Sequence, residues 1–171
     1  VLCDNGGIYS LAGFAYQMKV FILQILQLQR GNVLEYETID DVALKMTADN
    51  IDKHEDQLYS VLTTMSRKAI QVKRTNVTNS VAKKVLKNWI LADKSNNDIE
   101  QFVLVTDRDC SMDIFANLDA DAIYTVVIST KSKKSIDAKV KLIGYSDENL
   151  KLKIHDIISK ANIQKYVDID T

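Results

Sequence analysis

The segment AIQVKRT, residues 69–75, sets an amide and an ammonium two positions apart on a run that otherwise reads as a buried strand. Side chains at i and i+2 of a strand point the same way. Gln71 and Lys73 therefore share one face, and Ile70 and Val72 the other. An unpartnered ammonium is costly to bury, so the Gln71–Lys73 face should open onto solvent, a cleft or an anion. The surrounding charge fits the last of these. From residue 57 to 92 there is no Asp or Glu, while Arg67, Lys68, Lys73, Arg74, Lys83, Lys84 and Lys87 all fall in that span. A local positive surface of this kind neutralises phosphates without a high overall pI. A solvated face balanced by acids from elsewhere in the fold would give the same run.

Other chemistries find little support. His54 and His155 sit in charged surroundings, and no Ser, His or Cys arrangement points to nucleophilic catalysis. Cys3 and Cys110 have neither metal-ligand spacing nor a partner framework, and are expected as reduced thiols of a cytosolic protein. No stretch approaches the roughly 20 apolar residues that cross a bilayer. The 171 residues are 46% hydrophobic and 26% charged, with a formal net charge of -1, which suits one globular domain with its own core. The first residue is Val and the start carries an Asp-Asn-Gly-Gly turn rather than a signal peptide; the expectation is a domain, residues 1–171, excised from a longer protein.

The elements that must hold Gln71 and Lys73 follow from periodicity. Leu11, Phe14, Met18, Phe21, Ile22, Ile25 and Leu28 recur at helical spacing and Arg30-Gly31 follows, predicting a long helix over about 10–30. The run NVLEYETIDDVALKM alternates and predicts two strands, 33–38 and 41–46, joined tightly around Asp40. Leu58, Val61, Leu62 and Met65 have helical spacing and predict a short helix before the strand 69–73. Val81, Val85, Trp89 and Ala92 form one helical stripe with Thr78 or Asn79 as N-cap. QFVLVT, residues 101–106, is a continuous apolar run suited to a covered strand. DADAIYTVVIST fits helix or strand, SDENLKLKIHDIISKA a capped helix, and IQKYVDI a last strand. With no proline anywhere, against a usage of about 5%, boundaries rest on Gly, Asn and Asp.

Read in order, LAGFAYQ on the first helix, LEYETIDDVAL across the hairpin, IQVKR on the next strand, the lysine helix ending KNWI, and FVLVT resemble the PD-(D/E)xK nuclease superfamily. The branch is the one in which Gln replaces the second acidic residue, as in Mrr-type restriction endonucleases and related effector nucleases of bacterial anti-phage defence. The resemblance covers about residues 6–108. It implies an α/β fold of restriction-endonuclease-like type, a mixed central sheet flanked by helices, which residues 109–171 complete with helical or mixed structure. It also implies a cytoplasmic, magnesium-dependent endonuclease cutting double-stranded DNA, with Mn²⁺ as a substitute. A homo-oligomer, or further domains of the same protein, would act as sensor or activator, and no membrane is involved.

Residue by residue, the resemblance matches Asp41 to the family's metal-binding aspartate, with Asp40 as the adjacent alternative. It matches Gln71 and Lys73 to the Q-x-K motif, Glu35 to an acid on the first strand, and Gln17 to a helix residue that completes the site. The chemistry suits these types. Phosphodiester hydrolysis needs a hard cation to polarise the phosphate and acidify a water, and magnesium takes oxygen ligands while keeping several waters. Asp41, the Gln71 amide oxygen and the Val72 backbone carbonyl would supply ligands, and Lys73 would orient the water and stabilise charge on the phosphate. Arg74, Lys83, Lys84 and Lys87 would meet the DNA backbone. The chain departs from the family in having no proline before the aspartate and no charge at Gln17 or Gln71. A catalytically silent module that binds nucleic acid or mediates assembly on the same fold is the alternative, and an ordinary α/β interaction domain a third.

Overall fold

A computed structural model of the chain describes residues 6–27, 33–38, 57–62, 67–95 and 99–166. The architecture is mixed α/β. Among the described residues, five strands form one sheet in sequence order: β1 (Val33–Thr38), β2 (Gln57–Leu62), β3 (Arg67–Lys73), β4 (Ile99–Thr106) and β5 (Ala161–Lys165). β1, β2 and β3 pair antiparallel, whereas β3, β4 and β5 are parallel neighbours. The parallel steps need crossovers. The first is helix α2 (Asn79–Ser95); the second runs through α3 (Ala120–Ser129), α4 (Ile136–Leu142) and α5 (Asp147–Lys160). Helix α1 (Gly6–Leu26) precedes the sheet.

Local chemistry accounts for most of these boundaries. Thr78 Oγ1 accepts a hydrogen bond from the Val81 N–H at 3.4 Å, and so caps α2. Asp119, Ser135 and Ser146 cap α3, α4 and α5 in the same way. The DADAIYTVVIST segment, open between helix and strand in the sequence, is helical, with Ile123 and Val127 turned inward. The last strand forms as expected and follows α5 without a loop.

Two expectations are corrected. Residues 57–62 form a strand, not a helix. Their i, i+3, i+4 apolar pattern is too short to decide, and pairing with β1 on one side and β3 on the other satisfies the backbone that a lone helical turn would leave open. Strand β1 therefore pairs with β2. The expected strand 41–46 lies outside the described residues. Helix α4 was not anticipated; at seven residues it is too short to impose a period.

The two faces of the sheet are unequal. Ala69 of β3 and Phe102 and Leu104 of β4 join a large core with α2, α3, α4 and α5, centred on Trp89, which lies 5.5 Å from Phe102 and 4.9 Å from Phe115 between ring centroids. Ile70, Val72, Val103 and Val105 face the other way, against Tyr16 and Val20 of α1. No helix among the described residues is long and apolar enough to cross a membrane.

Candidate functional site

Strand β3 is completely buried from Ala69 to Val72, because α1 covers one face and α2 the other. Gln71 follows Ala69 on the α2 face, with Leu104 beside it on β4. It has no exposed surface, and neither its Nε2 nor its Oε1 finds a hydrogen-bond partner among the described residues. An amide orphaned in this way costs about 1–3 kcal/mol. Strand interiors avoid such a cost unless something else satisfies the group. Lys73, two residues on, shares the face and is half-buried.

The ends of the ladders define where this face opens. Pairing between β2 and β3 stops at Leu58 and Gln71, whereas pairing between β3 and β4 continues to Lys73 and Thr106. Among the described residues, Val72 and Lys73 are thus paired on one side only. Gln71 is, among the described residues, the last β3 position paired with β2, and Lys73 lies beyond it. Thr106, fully buried, turns the chain there by accepting the Arg108 N–H at 3.1 Å.

The other predicted residues are distributed as follows. Asp40 and Asp41 lie outside the described residues. Glu35 is in β1, where the register sets it across from Ser60 and, through Ser60, in the row of Ala69. The row of Gln71 instead reaches Glu37 through Leu58. The sequence does not reveal Glu37, because the helical spacing of Leu58, Val61 and Leu62 hides the strand that links it to Gln71. Gln17 is buried on α1, and α1 packs against the opposite face of the sheet. The described elements therefore do not bring Gln17 to Gln71. Val72 sends its side chain to that α1 face too, leaving its backbone as the only candidate donor.

The basic residues divide more sharply. Arg74 points to the α1 face. Its Nε donates to Asp107 at 3.2 Å, its Nη1 donates to the Ala12 carbonyl at 3.1 Å, and its guanidinium lies 5.9 Å from the Tyr16 ring centroid. It fastens α1 to the sheet. Lys87 is buried and ion-paired with Asp137 of α4. Of the three helix lysines, Lys84 is exposed and Lys83 half-exposed. Lys68 is half-buried, and desolvation pushes its ammonium below the usual lysine range. Neither the Arg74 tie nor the Lys87 pair was visible in sequence, since Asp107 and Asp137 stand 33 and 50 positions away (107 − 74, 137 − 87).

Among the described residues there is no group of three or more His, Cys, Asp or Glu able to hold a metal ion. The orphaned Gln71 oxygen fits an oxygen-seeking cation, and carboxylates would have to join it from 39–56 or from β1. The amide oxygen of Gln71 suits a hard cation, and the half-buried ammonium of Lys73 suits an anionic oxygen such as a phosphate's. No protein-family model, no curated protein and no solved structure matches the chain.

Proposed function

We propose that the chain is a metal-dependent DNA endonuclease domain of the Q-x-K type, on a restriction-endonuclease-like fold. The observation that carries the reading is Gln71: a fully buried amide with neither end partnered among the described residues, on the same face as Lys73, at the last described pair of the β2–β3 ladder. The element order supports it. A mixed sheet flanked by helices is the coarse architecture that the resemblance implies. Gln71 Oε1, the Val72 carbonyl and Asp41 would hold Mg²⁺. Bound there, the ion would supply a Lewis acid and a water of lowered pKa. Lys73 would hold the attacking water against the phosphate and offset the negative charge that grows on it. Ala69 and Leu104, buried on the same face as Gln71, would exclude bulk water and strengthen that interaction.

Plasmid cleavage at high protein concentration tests this, with Mg²⁺ or Mn²⁺ against EDTA. Cutting should require metal and disappear in Lys73→Ala, Asp41→Ala and Gln71→Met. The last variant should also be more stable than the wild type by about 1–3 kcal/mol, because it removes an unsatisfied amide at nearly constant volume. A destabilised Gln71→Met would mean that the amide has a structural partner, and cutting that survives all three would remove the proposed site.

A further inference from the structure

The row that contains Lys73 does not stop at β4. Lys73 is paired with Thr106, and Thr106 with Lys165 of β5. The row two residues back runs from Gln71 through Leu104 to Ile163, and Leu104 and Ile163 both join the core under α2. Lys165, two positions beyond Ile163, therefore shares the α2 face with Lys73. Fully buried Thr106 lies between them. Two strand spacings, about 10 Å, separate the two lysines at the backbone.

This row closes the carboxyl end of three parallel strands, where open α/β sheets receive their ligands. Helix α2 starts at the same end, with Asn79 and Ser80 exposed and no acid in its first turn, so its dipole adds to the positive side. The Val77 N–H donates to the Asp109 carbonyl at 2.9 Å, tying the segment that enters α2 to the one that leaves β4. Cys110, next in that segment, packs against the α2-side core. Burial pushes its thiol up, and the Lys165 ammonium works against that shift, which places the ammonium near the end of β4. Of the two acids that follow Thr106, Asp107 is engaged by Arg74 and Arg108, and Asp109 is exposed. Lys165 is itself exposed, and no ion pair among the described residues involves it.

We infer that Lys165 is a second phosphate contact of the Gln71–Lys73 site, holding a backbone phosphate of the DNA substrate on the far side of Thr106 from Lys73. The inference rests on the nuclease reading above and extends it to a residue outside the span that the resemblance covers. About 10 Å is the axial length of about three nucleotides of one strand, so the two ammonium groups suit two phosphates of a single backbone. Lys73 acts at the phosphate that is cut. Lys165 fixes where the strand lies and takes no part in the bond that breaks.

Binding of the full chain to a short fluorescent duplex in EDTA, over a salt series, reads this contact without cleavage. Each phosphate neutralised contributes about -0.9 to the slope of log K against log salt. Lys165→Gln should therefore flatten the slope by about 0.9, and a fourfold rise in salt should cost the wild type about 3.5-fold more affinity than the variant. Lys165→Arg should keep the wild-type slope, and so should Lys160→Gln, which lies at the opposite end of β5. With Mg²⁺ present, Lys165→Gln should raise KM at unchanged kcat, whereas Lys73→Ala should abolish cutting. A flattened slope in a protein that never cuts would support the phosphate contact and remove the nuclease reading. Cutting with an unchanged slope and KM in Lys165→Gln would overturn the inference and leave that reading standing. The inference also fails if Lys160→Gln flattens the slope equally, if the wild type does not bind the duplex, or if Lys165→Gln weakens binding to anionic vesicles but not to the duplex.

Discussion

The two faces of the sheet are held by different means. Beneath α2 the core is deep and almost wholly apolar, with Trp89 wedged between Phe102 and Phe115. Beneath α1 only a small cluster forms around Tyr16, Val20, Ile70 and Val72, and polar ties do much of the positioning: Arg74 to Ala12 and Asp107, and Gln24 to Tyr166. The contrast isolates Gln71. On the α1 face a buried polar group has a structural reason, because it fixes where a helix sits. On the α2 face, where burial already holds the helix, an amide without a partner among the described residues adds nothing to stability.

The largest effect should come from the deep face. Trp89→Ala removes a fully buried ring and should cost about 3–5 kcal/mol in urea unfolding. Its indole N–H has no partner among the described residues, so the loss is one of packing. A cost below about 1 kcal/mol would show that the face collapses around the gap and is less tightly built than described.

The thin face should respond to charge instead. Arg74→Ala should cost about 1–2 kcal/mol, since its bonds are charge-assisted but part-exposed. The loss should appear as faster hydrogen exchange in α1 rather than in α2. Arg74→Lys should not restore it, because an ammonium cannot span Asp107 and Ala12 while stacking on Tyr16. Equal exchange in both helices would erase the distinction between the faces.

The smallest effects should be alkaline. Burial, and then the nearby Asp107 charge, push the Tyr16 phenol above its ordinary value. Its contribution is present below about pH 10 and is lost as the pH rises beyond that. On the other face, a hydrogen bond to buried Asp93 at 2.8 Å raises the Lys153 ammonium. That pair stabilises below the unfolded lysine value of about 10.4 and fades as the pH passes through the higher folded value. Tyr16→Phe should therefore unfold less steeply than the wild type above about pH 10. The deficit of Lys153→Met should shrink over the alkaline window. Thermal melts across that range check both, and parallel curves would sink the assignment.

Much of this was legible where the signal is local. The stripe of α2, the apolar run of β4 and the capped α5 each carry their own period, and the shared face of Gln71 and Lys73 follows from strand geometry alone. Strand β2 was not legible, because Leu58, Val61 and Leu62 satisfy a helical spacing that only pairing to β1 and β3 overrides. The site was half legible. That Gln71 is orphaned, that Glu37 lies in its row, and that Lys87 turns inward all depend on residues brought from distant strands and helices.

The ties between α1 and Tyr166 bear on how the chain is made. The Tyr16 hydroxyl reaches the Tyr166 carbonyl at 3.5 Å, and Gln24 reaches the Tyr166 hydroxyl at 3.1 Å, across separations of 150 and 142 residues. A ribosome therefore delivers α1 long before the residue that clasps it. During that interval the helix has its apolar contacts with β3 and β4 and the Arg74 tie to Ala12, and the final fastening is a late event of synthesis. Closing so long a loop slows folding, and it ties the seating of the first helix to the arrival of β5.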